Sequence, residues 1–309
     1  MKFQNDYKAM LPMVLAVSML ASSCVWNAKS GNNTVEDTDS VTVGAQISSF
    51  TVDSIHWEDS LFVGENKIKG ANVCISGLYP VGGPSLLVDS TRAWIAELLS
   101  YGGLSNGDAQ FCYDAYLLSD GKALIEAAGL SYLVDAKKDI DDMVHEGFFD
   151  EDRACCYEFS YSFKPVFCTD SILTYDFSGY TYMCGAHGSA LGFGQTFAVS
   201  TGKRLDAEDM FLPENRLQLL DLIRDGLWKQ YFMAENESGE YSSLKDALLI
   251  SPDTLPLPAC PPLCTDKGIV FIYQQYEIAC YAAGMPACTL SYEALKPLMY
   301  SEVSRLMPE

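Results

Sequence analysis

The feature that most restricts the fold is a two-residue rhythm between residues 154 and 200. In the stretch CYEFSYSFKPVF, Tyr157, Phe159, Tyr161 and Phe163 alternate with Glu158, Ser160, Ser162 and Lys164. The stretch ILTYDFSGYTYM repeats the pattern from Ile172. Alternation sends successive side chains to opposite faces of an extended chain, so one face is apolar and the other polar. The pattern predicts antiparallel strands joined by hairpins, with one face buried.

The flanking segments say what covers that face. Residues 48–77 are also extended in character, and Gly82, Gly83 and Pro84 break the chain after them. A helix is predicted over 90–101 with Ser90 as its cap, followed by a helical region from about 107 to 146, interrupted around Gly129. Residues 213–234 give the clearest amphipathic helix, with Leu217, Leu220, Ile223, Leu227 and Tyr231 along one face. A Pro-rich passage at 252–262 leads to the strand-like GIVFIYQQYEI, a further strand near CTLSY and a C-terminal helix from Glu293. Helices and strands are segregated, which predicts an α+β fold built on an antiparallel sheet. Its expected parts are residues 48–150 and residues 151–309.

The N-terminus carries an export signature. Lys2 and Lys8 precede an apolar run from Ala9 to Leu20, too short for a lasting membrane helix, which takes roughly 20 residues. The run ends in Ala21-Ser22-Ser23-Cys24, small residues before a cysteine, as lipoprotein signal cleavage requires. The expectation is a signal peptide over 1–23, a lipidated Cys24, and a polar tether to residue 47. An ordinary secretory signal beside a chance cysteine is the plainer alternative. The expected location is the bacterial cell envelope, lipid-anchored, periplasmic or on the outer surface.

The chain has a formal charge of −21. Loss of Lys2, Asp6 and Lys8 with the signal would leave about −22. Such a surface repels nucleic acid and attracts cationic proteins, although solubility alone also accounts for it. Eleven cysteines suit an oxidising compartment. With Cys24 set aside, ten remain, as disulfides or buried thiols. The spacing of Cys260, Cys264, Cys280 and Cys288 lacks the paired knuckles of a zinc site.

Catalytic patterns are weak. His56, His145 and His187 lie far apart in sequence, without metal-site spacing. Glu58-Asp59 and Asp141-Asp142 read as solvated charges. Cys155-Cys156 has no histidine nearby in sequence. No cofactor and no metal are expected, and a non-catalytic role is favoured over a hydrolase using His187.

Three segments stand out together: Tyr182-Met183-Cys184-Gly185-Ala186-His187-Gly188; Ser200-Thr201-Gly202-Lys203-Arg204-Leu205 running to Phe211; and Thr265-Asp266-Lys267-Gly268-Ile269-Val270-Phe271, followed by Tyr276-Glu277-Ile278-Ala279-Cys280-Tyr281-Ala282-Ala283-Gly284. In this order the chain resembles the extracytoplasmic domain shared by the lysozyme-sensing anti-sigma factor RsiV and the peptidoglycan deacetylase PdaC. The resemblance spans roughly residues 45–305 and is strongest over 180–295. It implies a binding module on a lipid tether, without the sigma-binding or deacetylase companion. The implied ligand is a peptidoglycan fragment or a lysozyme-like cationic protein, and a scaffold for envelope proteins is the alternative role. His187, Tyr276, Glu277 and Tyr281 match the family motif and are the candidate ligand-binding residues. Cys184 stands where the motif has a glycine, and Cys280 where it has a proline. Cys280 and Cys288 bracket a loop that their pairing would stiffen.

Taken from the residues alone, Gly185 and Gly188 suggest a tight turn or a close backbone approach. His187 suggests a hydrogen bond to its own loop. Tyr276, Tyr281 and Tyr292 suit protein or sugar contacts, or core packing.

Overall fold

A computed structural model describes residues 41–42, 50–101, 113–148, 156–233 and 241–308. The expected signal peptide, Cys24, Cys155 and most of the expected tether fall outside the described residues; Val41 and Thr42, inside that expected tether, instead pair with Val52 and Thr51 as a short strand. None of the described helices is long and apolar enough to cross a membrane.

The main sheet has six strands in sequential order: β1 (Val41–Thr42), β2 (Thr51–Val63), β3 (Ile68–Gly82), β4 (Tyr157–Cys168), β5 (Ile172–Tyr182) and β6 (Ser189–Ala198). The fold is α+β, as the sequence predicts, with one departure. β3 and β4 run parallel, from Ala71 opposite Tyr157 to Gly77 opposite Phe163, while the other pairs are antiparallel. A parallel pair needs a long crossover. Helices α1 (Ser85–Tyr101) and α2 (Gly121–His145) lie in that crossover and pack on one face of the sheet.

The two-residue rhythm is realised in β4, where Tyr157, Phe159, Tyr161 and Phe163 are all buried. They join Tyr132 of α2, whose ring meets Phe159 and Tyr161 at 6.1 and 5.5 Å. Trp94 of α1 makes edge contacts with Tyr175, Phe177 and Phe197. Each such ring taken out of water contributes roughly 2–3 kcal/mol.

Two helix expectations need correction. α1 begins at Ser85, directly after Pro84, so Ser90 lies inside the helix rather than capping it. α2 runs unbroken through Gly129, because this glycine accommodates a neighbour: a Cβ there would lie 1.9 Å from the Trp57 ring.

A smaller antiparallel sheet, β7 (Leu263–Thr265), β8 (Gly268–Ile272) and β9 (Ala287–Leu290), anchors a second core. Helix α3 (Arg216–Gly226) packs into it and widens by one residue per turn over Leu227–Phe232. Its buried side is Leu219, Ile223, Gly226 and Leu227. Leu217, expected on that face, is 75% exposed. Close approach fixes this rotation, since a Cβ on Gly226 would meet Cys288 Cβ at 2.9 Å. The C-terminal helix expected from Glu293 is two short turns, Tyr292–Leu295 and Ser301–Ser304.

The expected division at 150/151 falls between β3 and β4, neighbours in one sheet, whereas the two cores meet near residue 200. Their seam combines apolar contacts, with Ile172 and Ala198 of the main sheet in the second core, and hydrogen bonds. Thr174 and Thr196 share a hydrogen bond at 3.1 Å, and the Cys264 N–H donates to Thr196 Oγ1 at 3.1 Å. Farther along, Gln274 imitates a strand: its amide accepts from Gly192 N–H at 3.3 Å and donates to Gly192 C=O at 2.9 Å. That pairing satisfies backbone groups on β6, the edge of the main sheet.

Candidate functional site

The hairpin between β5 and β6 and the loop between β8 and β9 come together at the seam, and they carry the motif residues. His187 Nδ1 bonds the Gly188 carbonyl at 2.9 Å, the within-loop bond expected for it. The Tyr281 hydroxyl donates to the same carbonyl at 2.8 Å. These two anchors hold the rings face to face, with centroids 3.8 Å apart and planes 26° apart. Tyr276 completes the group, 6.3 Å from His187 and 5.8 Å from Tyr281 by ring centroids. Its hydroxyl reaches His187 Nε2 at 3.3 Å. His187 and Tyr276 are exposed and Tyr281 is half-buried, so the cluster presents rings to solvent.

Its support is local and strained. Tyr276 and Cys184 have φ of 66° and 60°, a region that costs a non-glycine residue energy. Cys184, standing where the family motif has glycine, therefore occupies a backbone site glycine would favour, and it is disulfide-bonded. Neither motif glycine adopts such an angle among the described residues. Gly188 serves instead for close approach: a Cβ there would lie 2.4 Å from the Tyr180 ring.

Glu277 belongs to the scaffold. One carboxylate oxygen accepts the Gln274 N–H at 2.7 Å and the other the Ala259 N–H at 2.8 Å. Both acceptors are thus engaged inside the protein, closing the turn that presents Tyr276. Burial raises its carboxyl above the ordinary glutamate range, with the two N–H bonds opposing. Tyr292 is likewise structural, buried with its hydroxyl on the Thr265 carbonyl at 2.8 Å.

Sequence reasoning missed Tyr180, which is 41% exposed and lies against Gly188. Only its place in the outward-facing half of the β5 alternation pointed to it. Burial raises its hydroxyl, and the nearby Glu158, Tyr281 and Tyr182 add to the effect.

The expected pairing of Cys280 with Cys288 is not formed. Cys280 and Cys288 are both free; Cys280 is exposed, while Cys288 is buried with its thiol on the Ile223 carbonyl at 3.7 Å. Burial raises the Cys156 thiol above its ordinary range, the opposite of an activated nucleophile. His187 has rings and a carbonyl as its described partners, and no carboxylate or thiol hydrogen-bonds it there.

Residues 208–293 match the family described as a protein of unknown function (DUF3298). The fold is shared with two crystal structures of that family. A member from Bacteroides fragilis has a TM-score of 0.62 at 18% identity, covering 83% of this chain and 97% of its own. One from Pseudomonas aeruginosa has a TM-score of 0.52 at 13% identity, covering 84% of this chain and 97% of its own. No curated protein matches the chain.

Proposed function

We propose that this chain is an envelope lipoprotein, anchored through Cys24, whose folded region is a non-catalytic binding module for a cell-wall-associated ligand. The observation that carries the reading is the exposed cluster of His187, Tyr276 and Tyr281, fixed by hydrogen bonds to loop carbonyls and by ring stacking. Rigid amphipathic rings give contact area at low entropic cost, and their faces suit the C–H faces of sugars. A peptidoglycan fragment is therefore the ligand that the geometry favours.

The second reading, a lysozyme-type cationic protein, rests on the charge of −21. Attraction at that charge speeds encounter and is screened by salt. Binding of purified wall fragments and of lysozyme, each at low and moderate salt, separates the two. Salt-insensitive glycan binding supports the first reading and steeply salt-dependent lysozyme binding the second. Absence of both sinks the proposal and leaves a scaffold role ahead. The anchor has its own test: Cys24→Ser should release the protein from membranes and abolish fatty-acid labelling.

A further inference from the structure

Sequence spacing leaves His56 isolated, but the β2–β3 register does not. His56 and Glu58 lie two residues apart on β2 and share its outward face, and Cys74 on β3 stands directly opposite Glu58. One donor atom from each side chain, imidazole nitrogen, carboxylate oxygen and thiol sulfur, lies within 4.8 Å of the other two. His56 Nε2 and the nearer Glu58 oxygen are 4.0 Å apart, long for an ion pair.

We propose that His56, Glu58 and Cys74 form a binding site for a borderline-soft divalent transition ion, zinc being the best fit. The donor set is the first argument. Nitrogen, carboxylate and sulfur together are the ligands zinc takes, whereas calcium and magnesium prefer oxygen alone. Distance is the second. Donors held at about 2.0–2.3 Å around a tetrahedral ion lie roughly 3.3–3.8 Å apart. Closing from the present separations takes about 1 Å of side-chain motion, and His56 and Glu58, 60% and 52% exposed, are free to make it.

A supporting layer is present as well. The Asn72 amide approaches the other Glu58 oxygen at 3.5 Å and is itself held by Ser60 at 2.8 Å. Outer partners of this kind orient a ligating carboxylate. Three protein donors leave a fourth position open to water or a ligand. Register also places the site relative to the aromatic cluster: Cys74, Ser160 and Tyr180 are neighbours across β3, β4 and β5, so the site and Tyr180 share one sheet face, with Cys74 and Tyr180 about 10 Å apart.

The test is titration of the metal-free full-length protein with Zn²⁺ by calorimetry and with Co²⁺ by absorption. One equivalent should bind, and Co²⁺ should give a near-ultraviolet thiolate band with intense visible bands. Cys74→Ser should abolish the thiolate band, and His56→Ala should weaken Zn²⁺ binding by at least about tenfold. Cys280→Ser, which removes an exposed thiol elsewhere, should change neither. Melting curves of the variants check that the sheet is intact. Absence of stoichiometric binding, or a thiolate band that survives Cys74→Ser in folded protein, overturns the proposal.

Discussion

The imidazole of His187 lies flat on the phenol ring of Tyr281, and both side chains hydrogen-bond one acceptor, the carbonyl of Gly188. A single backbone oxygen thus fixes the orientation of two rings that arrive from segments more than ninety residues apart in sequence. Gly188 is the pivot of the cluster, and its lack of a side chain is what lets Tyr180 pack beside it.

That dependence is testable with the two glycines of one motif. A Cβ at Gly188 would press on the Tyr180 ring at 2.4 Å, while at Gly185 the nearest contact is 4.0 Å away. Overpacking of a closed site costs roughly 1–3 kcal/mol. Gly188→Ala should lower the melting temperature and weaken ligand binding, and Gly185→Ala should leave both nearly unchanged. Equal effects from the two substitutions would contradict the pivot role.

Glu277 gives a pH dependence with a definite sign. Burial holds its folded pKa above the unfolded value, as it does for Asp206 and Asp176. Protonation is then easier in the folded state, so stability rises as pH falls through the folded values and is fully gained below the ordinary carboxylate range. Relief of the −21 charge acts in the same direction. Melting temperature should increase from pH 7 toward pH 5. Glu277→Gln should flatten part of that slope, and by removing one of two backbone acceptors it should cost about 1–2 kcal/mol at neutral pH. An unchanged slope would remove Glu277 from the account.

Thiol reactivity should follow burial. Cys280 is exposed, whereas burial pushes Cys260 and Cys288 to about 12 and Cys264 to about 11. In folded protein at mildly alkaline pH, an alkylating reagent should label Cys280 well before these three, which should react on unfolding. Peptide mass spectrometry reads the order. A Cys280–Cys288 linked peptide in a non-reduced digest would contradict the structure.

Gly129 illustrates what the sequence conceals. Helix propensity alone favours alanine there by about 1 kcal/mol and makes the glycine look like a break. In the structure the Trp57 ring occupies that space, at 1.9 Å from where the Cβ would be. The steric term should win, and Gly129→Ala should destabilise by about 1–3 kcal/mol in a denaturant titration. Net stabilisation would show that Trp57 repacks without cost.

Local periodicity made β4 legible, because the alternation of Tyr157, Phe159, Tyr161 and Phe163 is itself the burial pattern. Parallel pairing of β3 with β4 left no local mark, since it is set across a long crossover by how α1 and α2 pack. The face of α3 was misjudged for a related reason: the fit of Gly226 against Cys288 rotates the helix away from the stripe that includes Leu217. At the site, motif residues marked the right loops, and the stacking of His187 on Tyr281 is tertiary. Glu277 stood beside them as a ligand candidate, because nothing local shows that the Gln274 and Ala259 amides claim both of its oxygens.

The central claim, that the ring cluster binds a wall glycan, is tested most directly at Tyr276, which is 54% exposed and dispensable to the core. Calorimetric titration of a soluble peptidoglycan fragment into wild type and Tyr276→Ala is the decisive comparison. Tyr276→Ala should keep the melting temperature and bind at least about tenfold more weakly, the loss typical of an aromatic anchor. Equal affinity for the two proteins would contradict it.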